Sequence, residues 1–534
     1  MMVPTRTLPN LDRKPLYAPH GVVATSQPLA ASAGLAALRR GGSAVDAALA
    51  AAITLTVTQP NSNGVGGDLF ALVWDGARLH GLNGSGRAPM ALTAAGVRRQ
   101  GHRTMPDRGW LPVTVPGAPR GWRDLHDRFG ALPFAALFED AIGYAADGFP
   151  VAPTSARQWQ AAVEEAHRPL TGPEHQHFLT VFGPAGRAPR AGETWRSPEL
   201  AATLRRLAAS GAEDFYGGET AEAIAGFSAR TGGVLTASDL AAHASTWVDP
   251  LSVSYRGYQV WELPPNGQGL AALLALAILD GLSMPEHGSA GRYHLQIEAM
   301  KLAFADAHRY IADPGRTEIP VAGLLSDEYV RQRRELITDK AAEPEPGEPA
   351  RGGTVYLCAA DSAGMMVSLI QSNFAGFGAH VVVPGTGVSL HNRGAAFTLD
   401  EAHPNCLEPG KRPFHTIIPG FLTKDGRAAG PFGVMGAHMQ PQGHLQLISN
   451  TLDAGMDPQA ALDEPRWYWA QGRRVHGEPG IPAEIRAELA SRGHEITTEG
   501  AENLVGCGQA IWRLPDGGYV AGTEPRTDGC AVGY

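Results

Sequence analysis

Thr354 stands directly behind Gly352 and Gly353, at the start of the apolar stretch Val355-Tyr356-Leu357-Cys358-Ala359-Ala360. Upstream lies Ala341-Ala342-Glu343-Pro344-Glu345-Pro346-Gly347-Glu348-Pro349-Ala350-Arg351. Proline, glycine and glutamate at that density bury too little apolar surface to offset ordering, so the run reads as a mobile linker over about 338–353. One reading of the junction is a linker meeting a strand. The other is chemical: a cut before Thr354 would give the threonine a free α-amine. Such an amine has a pKa of about 7.7–8.0, so part of it is neutral at pH 7 and can take the proton of the Thr354 hydroxyl.

The elements that would position this hydroxyl form a hairpin. Val355–Ala360 and Met365–Ser372 flank Asp361-Ser362-Ala363-Gly364, a four-residue turn. With the turn centred near Ala363, Thr354 faces Ser372 across the ladder, with Cβ atoms about 5 Å apart. Ser372 could orient or acidify Thr354, and such a cross-strand Thr–Ser pair can equally be structural. A second feature, Phe432-Gly433-Val434-Met435-Gly436-Ala437-His438-Met439, reads as a strand ending in a glycine turn before a helix. Backbone N–H groups of such a turn can hold an anion, and acyl transfer needs donors of that kind. Arg412-Pro413-Phe414-His415-Thr416 sets polar side chains at the edge of an apolar strand. His403, His415, His438 and His444 match no metal-binding spacing, and no metal or organic cofactor is expected.

The chain has 534 residues, 43% hydrophobic and 18% charged, within the globular range. A formal charge of -9 with no basic stripe gives nucleic-acid binding no support. The apolar run Leu270–Leu279 is too short to span a bilayer, and Met1–His20 has no apolar signal-peptide core, so a cytoplasmic protein without membrane contact is expected. Cys358, Cys406, Cys507 and Cys530 are too scattered for a disulfide framework. Neither a P-loop, a G-x-S-x-G elbow nor a G-x-G-x-x-G after a strand is present, which argues against nucleotide enzymes and α/β-hydrolases. Ser43 and Thr236, each with Asp three residues on, predict capping boxes opening helices over 44–58 and 235–242. Further helices are predicted over 26–40, 269–279, 293–310, 327–336, 442–453 and 458–462, and strands over 70–74, 79–82, 381–383, 416–423 and 429–434.

Gly41-Gly42-Ser43-Ala44-Val45-Asp46-Ala47-Ala48, Gly64-Val65-Gly66-Gly67-Asp68, Val115-Pro116-Gly117, Asp147-Gly148-Phe149, Tyr255-Arg256-Gly257-Tyr258, Pro264-Pro265 and Glu298-Ala299-Met300-Lys301 complete the picture. With these motifs the chain resembles the γ-glutamyltransferase (glutathione hydrolase) family of N-terminal nucleophile hydrolases, from Gly21 to about Tyr534. The resemblance implies an α+β fold, a four-layer αββα sandwich, and a proenzyme that cuts itself between Gly353 and Thr354. The products, of 353 and 181 residues, would stay together as large and small subunits, and a homodimer of such pairs is left open. It implies Thr354 as nucleophile, Ser372 as its supporting hydroxyl, and Gly436 and Ala437 as the oxyanion donors. The substrate clamp departs from the family pattern. The arginine for the substrate carboxylate falls on Ser85, with Arg87 nearby. An asparagine becomes Phe374, the aspartate that pairs with the substrate α-amine becomes Ala396, and a Ser-Ser pair becomes His415-Thr416. Arg87, Arg393, Arg412 or His415 could bind a carboxylate differently. The implied activity is cleavage of γ-glutamyl or related small amides, with water or an amine as acceptor. The alternatives are a glutaryl-type acylase and an unprocessed scaffold relative.

Overall fold

The computed structural model describes residues 13–166, 170, 172–184, 186–343 and 353–534. Most of the proposed linker, residues 344–352, lies outside the described residues.

Two seven-stranded antiparallel sheets organise the fold. In the first the order is Leu16–Ala18, Tyr519–Thr523, Cys507–Arg513, Arg427–Met435, Gly420–Lys424, Tyr258–Glu262 and Leu251–Tyr255. In the second it is Cys530–Gly533, Val22–Thr25, Gly353–Ala360, Met366–Phe374, Asp68–Trp74, Leu79–Asn83 and Thr246–Val248. Strand periodicity explains the layering, because successive side chains point to opposite faces. Val355, Leu357 and Ala359 pack with the helices Pro28–Arg39 and Ala44–Thr58. Tyr356, Cys358 and Ala360 pack between the sheets, against Phe421 and Ile511. Phe432, Val434 and Leu422 cover the other sheet's outer face, under the helices Gly269–Asp280, Ala290–Tyr310 and Met439–Leu452. Helices, sheet, sheet and helices are therefore the four layers.

The alanine-rich helix Ala44–Thr58 is buried at every position, so it lies inside the helical layer rather than on it. Its capping box forms as read: Asp46 N–H donates to Ser43 Oγ at 3.1 Å, and Asp46 Oδ2 accepts the Ser43 N–H at 2.9 Å. Thr236 and Asp239 make the second box. The predicted strand 416–423 is shortened to Gly420–Lys424, because the backbone and side chains of 412–418 turn inward to make the contacts described below. Three C-terminal strands, Cys507–Arg513, Tyr519–Thr523 and Cys530–Gly533, lie beyond the sequence reading. Each contains a glycine and little alternation, so propensity does not mark them; they form by completing both sheets.

The described start of the proposed linker is tied down rather than loose. Thr338 O is 2.7 Å from His294 Nε2, and Ala341 N–H donates to Arg492 O at 2.8 Å. Glu298 and Lys301 then grip one residue through both of its backbone groups: Ala342 N–H donates to Glu298 Oε2 at 3.0 Å, and Lys301 Nζ donates to Ala342 O at 2.9 Å.

Candidate active site

The hairpin places the two hydroxyls together, with Thr354 Oγ1 3.0 Å from Ser372 Oγ, both buried. The register carries a bulge: Gly353 pairs with Phe374 and Val355 with Gln371, so Ser372 and Asn373 together oppose Thr354. Bulges of this kind re-aim side chains beside active sites. Here the next residue, Phe374, has φ +75°, a left-handed conformation rare for an aromatic residue, and its ring lies 4.3 Å from the Arg393 guanidinium. Phe374 N–H donates back to Ser372 Oγ at 2.8 Å.

On the far side of Ser372 the strand pairing sets Asp68 directly opposite it. Asp68 is fully buried. Its Oδ2 lies 2.9 Å from His415 Nε2 and 3.4 Å from His391 Nδ1, and its Oδ1 accepts the Gly86 N–H at 3.2 Å. Burial alone would raise its pKa. His391, His415 and the Arg393 charge outweigh that and hold the carboxyl well below the usual range. Burial pushes His415 down to about 3, so the ring is neutral; Ile417 N–H donates to its Nδ1 at 3.3 Å, leaving Nε2–H to face Asp68. Arg393 is buried completely, and its pKa falls to about 9 by desolvation, countered by Asp68. The group still carries its charge at neutral pH. Its Nη1 donates to Thr416 Oγ1 at 2.7 Å and its Nη2 to Ser372 Oγ at 3.3 Å.

The turn after Arg427–Met435 closes the arrangement from the opposite sheet. Ser368 Oγ lies 3.4 Å from Phe432 O, and a Cβ on Gly433 would sit 2.4 Å from the Tyr356 ring. Moving along the strand Gly353–Ala360 from Cys358, the partner of Ser368, past Tyr356 to Thr354 therefore corresponds to moving from Phe432 past Gly433 toward Gly436. Gly436 has φ +129° and Ala437 φ +52°, so the turn is left-handed at both. Among the described residues no acceptor is recorded for the N–H of either. Gln268 Nε2 fixes the turn from behind, donating to Ala437 O at 2.8 Å and Thr416 O at 2.6 Å.

A cleft of about 1390 Å³ opens onto this cluster, and Phe374, Ala396, Phe397, Phe414, Thr416 and His438 are among its walls. Three of the eight substrate-contact candidates from sequence line it: Phe374, Ala396 and Thr416. The other five are engaged elsewhere. Ser85 is buried on Asn83 and Asn266, and Arg87 donates to Asp313 and Gly410 O. Arg412 donates to Ser85 O, Ala244 O and Thr246 Oγ1, His415 faces Asp68, and Arg393 lies behind Phe374. Sequence reasoning missed Asp68, His391, Gln268 and the cleft-lining His308. The available signal was the Gly66-Gly67-Asp68 motif, whose strand pairs with the second arm of the Thr354–Ser372 hairpin.

Among the described residues one cluster brings three possible metal ligands together, His294, Glu298 and His494. Its donor atoms are already occupied. His294 Nδ1 and His494 Nε2 are hydrogen-bonded at 2.9 Å, and the Lys301 ammonium sits 2.7 Å from Glu298 Oε1.

A Thr–Ser hydroxyl pair at the start of a central strand, inside an antiparallel four-layer αββα sandwich, is the arrangement of a hydrolase of the N-terminal nucleophile type. The sequence profile described as gamma-glutamyltranspeptidase matches residues 30–534, and the chain belongs to that family. The chain is 37% identical to the glutathione hydrolase-like YwrD proenzyme of Bacillus subtilis, over 95% of this chain and 97% of that protein. It is 38% identical to the oxamate amidohydrolase proenzyme of Klebsiella pneumoniae, over 96% and 98%. The crystal structure of the cephalosporin acylase from Bacillus halodurans matches with a TM-score of 0.97 and 52% identity, covering 100% of this chain and 99% of that one. The protein is accordingly a self-processing amidohydrolase or acyltransferase that divides into two fragments of one chain. Among the described residues no helix is long and apolar enough to cross a membrane.

Proposed function

We propose that the chain cuts itself between Gly353 and Thr354 and then hydrolyses amides of small acyl groups that lack an α-ammonium, glutaryl-type acyl groups among them. Thr354 Oγ1 bonds to the amide carbonyl carbon while its proton passes to its own α-amine. The Gly436 and Ala437 N–H groups receive the oxyanion. The C–N bond breaks, the leaving amine takes the proton, and an acyl ester of Thr354 remains. Water then attacks that ester, releasing the carboxylic acid and restoring the hydroxyl. The cytoplasm suits a protein whose four cysteines are all unpaired.

The observation that carries the substrate reading is the wall beside the nucleophile, built from Phe374, Ala395, Ala396, Phe397 and Phe414. The buried acids lining the same cleft are committed: Asp306 to Arg333 and Glu298 to Lys301. Glu343 pairs with Arg473 at 2.9 Å. The remaining acid of the lining, Asp400, is exposed, so a substrate ammonium placed against the Phe374–Phe414 wall would lose its water without gaining a buried carboxylate, which costs on the order of 2–5 kcal/mol. Two relatives support this: one is named a cephalosporin acylase and one for oxamate, whose acyl group has no α-amine. The relative named glutathione hydrolase-like favours a second reading, γ-glutamyl transfer or hydrolysis. Turnover of a glutaryl anilide and a γ-glutamyl anilide separates them. The glutaryl compound should be cleaved at least about tenfold faster, by the ammonium penalty. A strong preference for the γ-glutamyl compound would reverse the assignment.

A further inference from the structure

Arg393 is the most completely buried cation beside the nucleophile, and the clamp positions of the sequence do not explain it. Its neighbours are all protein groups. Nη1 holds Thr416 Oγ1 at 2.7 Å, Nη2 holds Ser372 Oγ at 3.3 Å, and the Phe374 ring covers the guanidinium plane at 4.3 Å. Asp68 supplies its countercharge, and the charged or titratable groups around it include Asp68, His391, His415 and His438. A guanidinium closed in this way is badly placed to bind a substrate carboxylate in the cleft. It is well placed to act on Ser372.

A serine oxygen has two lone pairs and one hydrogen. Ser372 Oγ receives the Phe374 N–H at 2.8 Å and the Arg393 N–H at 3.3 Å. Either hydroxyl can be the donor across the 3.0 Å Ser372–Thr354 contact, and two N–H groups directed at Ser372 Oγ favour Ser372 as the donor and Thr354 Oγ1 as the acceptor. The Thr354 hydrogen is then turned away from Ser372 and toward the α-amine that takes it. We propose that Arg393 is a positioning residue for the attacking hydroxyl: held by Thr416 and balanced by the Asp68 charge, it fixes Ser372 as hydrogen-bond donor to Thr354, in self-cleavage and in turnover. This rests on Thr354 being the nucleophile.

The positive charge two hydrogen bonds from Thr354 also favours the neutral form of its amine, because a like charge disfavours protonation. The tests are Arg393→Gln and Arg393→Lys, with Thr354→Ala as control and all rates normalised to the cleaved fraction read by intact-protein mass. Arg393→Gln should lower kcat about 10²-fold, the usual cost of losing one preorganised donor, while KM stays within about threefold. The acid limb of its kcat/KM profile should move up by about one pH unit as the amine becomes more basic. Arg393→Lys should keep the wild-type acid limb and recover part of kcat, since its single ammonium cannot hold Ser372 and Thr416 together. Wild-type kcat in Arg393→Gln, or a loss confined to KM with the acid limb unmoved, would overturn the proposal. If Arg393→Gln stays uncut, slowed cleavage of Arg393→Lys supports the proposal and wild-type cleavage overturns it. Activity surviving in Thr354→Ala would remove the nucleophile reading itself; an inactive Thr354→Ala beside an unaffected Arg393→Gln would remove only the role of Arg393.

Discussion

Ser372→Ala removes one oxygen that satisfies three neighbours at once. Two are donors: the Phe374 N–H at 2.8 Å and one Arg393 N–H at 3.3 Å. The third is the Thr354 hydroxyl at 3.0 Å. The site is buried, so the two stranded donors gain no water in exchange, and each unpaired buried donor costs about 1–3 kcal/mol. That predicts a folded but less stable protein. The kinetic effect is separate. Developing charge on Thr354 Oγ1 loses its only side-chain donor in the described structure, comparable to losing one oxyanion-hole donor, about 2.7–4 kcal/mol or 10²–10³ in kcat. KM should change little, because Ser372 does not line the cleft. Cleaved fraction by intact mass, followed by initial rates with a chromogenic anilide, measures both effects. Ser372→Thr, which keeps a hydroxyl, should recover most of the rate. A Ser372→Ala protein that cuts itself and turns over at the wild-type rate would refute the paired-hydroxyl reasoning.

Burial holds His415, His243, His444 and His494 down to about 3 and His308 to about 4, so all are neutral when folded. Unfolded, each titrates near 6.5, so this stability is present above about pH 6.5 and is lost as pH falls toward 3–4; each group costs about 2 kcal/mol by pH 5. Melting temperature should drop steadily from pH 7 to 5, and a flat profile would contradict the buried neutral histidines. Ala437, at φ +52°, carries about 1–2 kcal/mol of left-handed strain, so Ala437→Gly should cut itself normally and melt higher, whereas the β-branched Ala437→Val should lose cleavage and activity. A fully active Ala437→Val would show that the turn is not part of the machinery. Lys301→Met leaves Glu298 buried without its partner and frees Ala342 O, at a cost of about 3–5 kcal/mol, and should slow self-cleavage; a wild-type melting temperature and cleavage rate would exclude this anchoring.

The hairpin that carries Thr354 and Ser372 was legible because its turn and its two apolar arms are contiguous in the chain. The helix starts at Ser43 and Thr236 were legible for the same reason: a cap and its partner lie three residues apart. The clamp was not. Asp68, Arg393 and His415 meet from three separate parts of the chain, and nothing local tells whether His415 faces a substrate or a buried carboxylate. Identity alone made His415, Arg412 and Arg87 candidates for a substrate carboxylate; their hydrogen bonds show each engaged by the protein. The bulge opposite Thr354 was also hidden, since turn counting gives a regular register and misses the extra residue that points Phe374 over Arg393.

The central claim is that Thr354, freed by a cut after Gly353, carries the acyl group. Incubation with a slowly deacylated anilide, acid quench and peptide mass mapping of the two fragments tests it most directly. The expected result is fragments of 353 and 181 residues, with the acyl mass on Thr354 at the start of the shorter one. A single uncut chain of 534 residues, or an acyl group on any other residue, would contradict it.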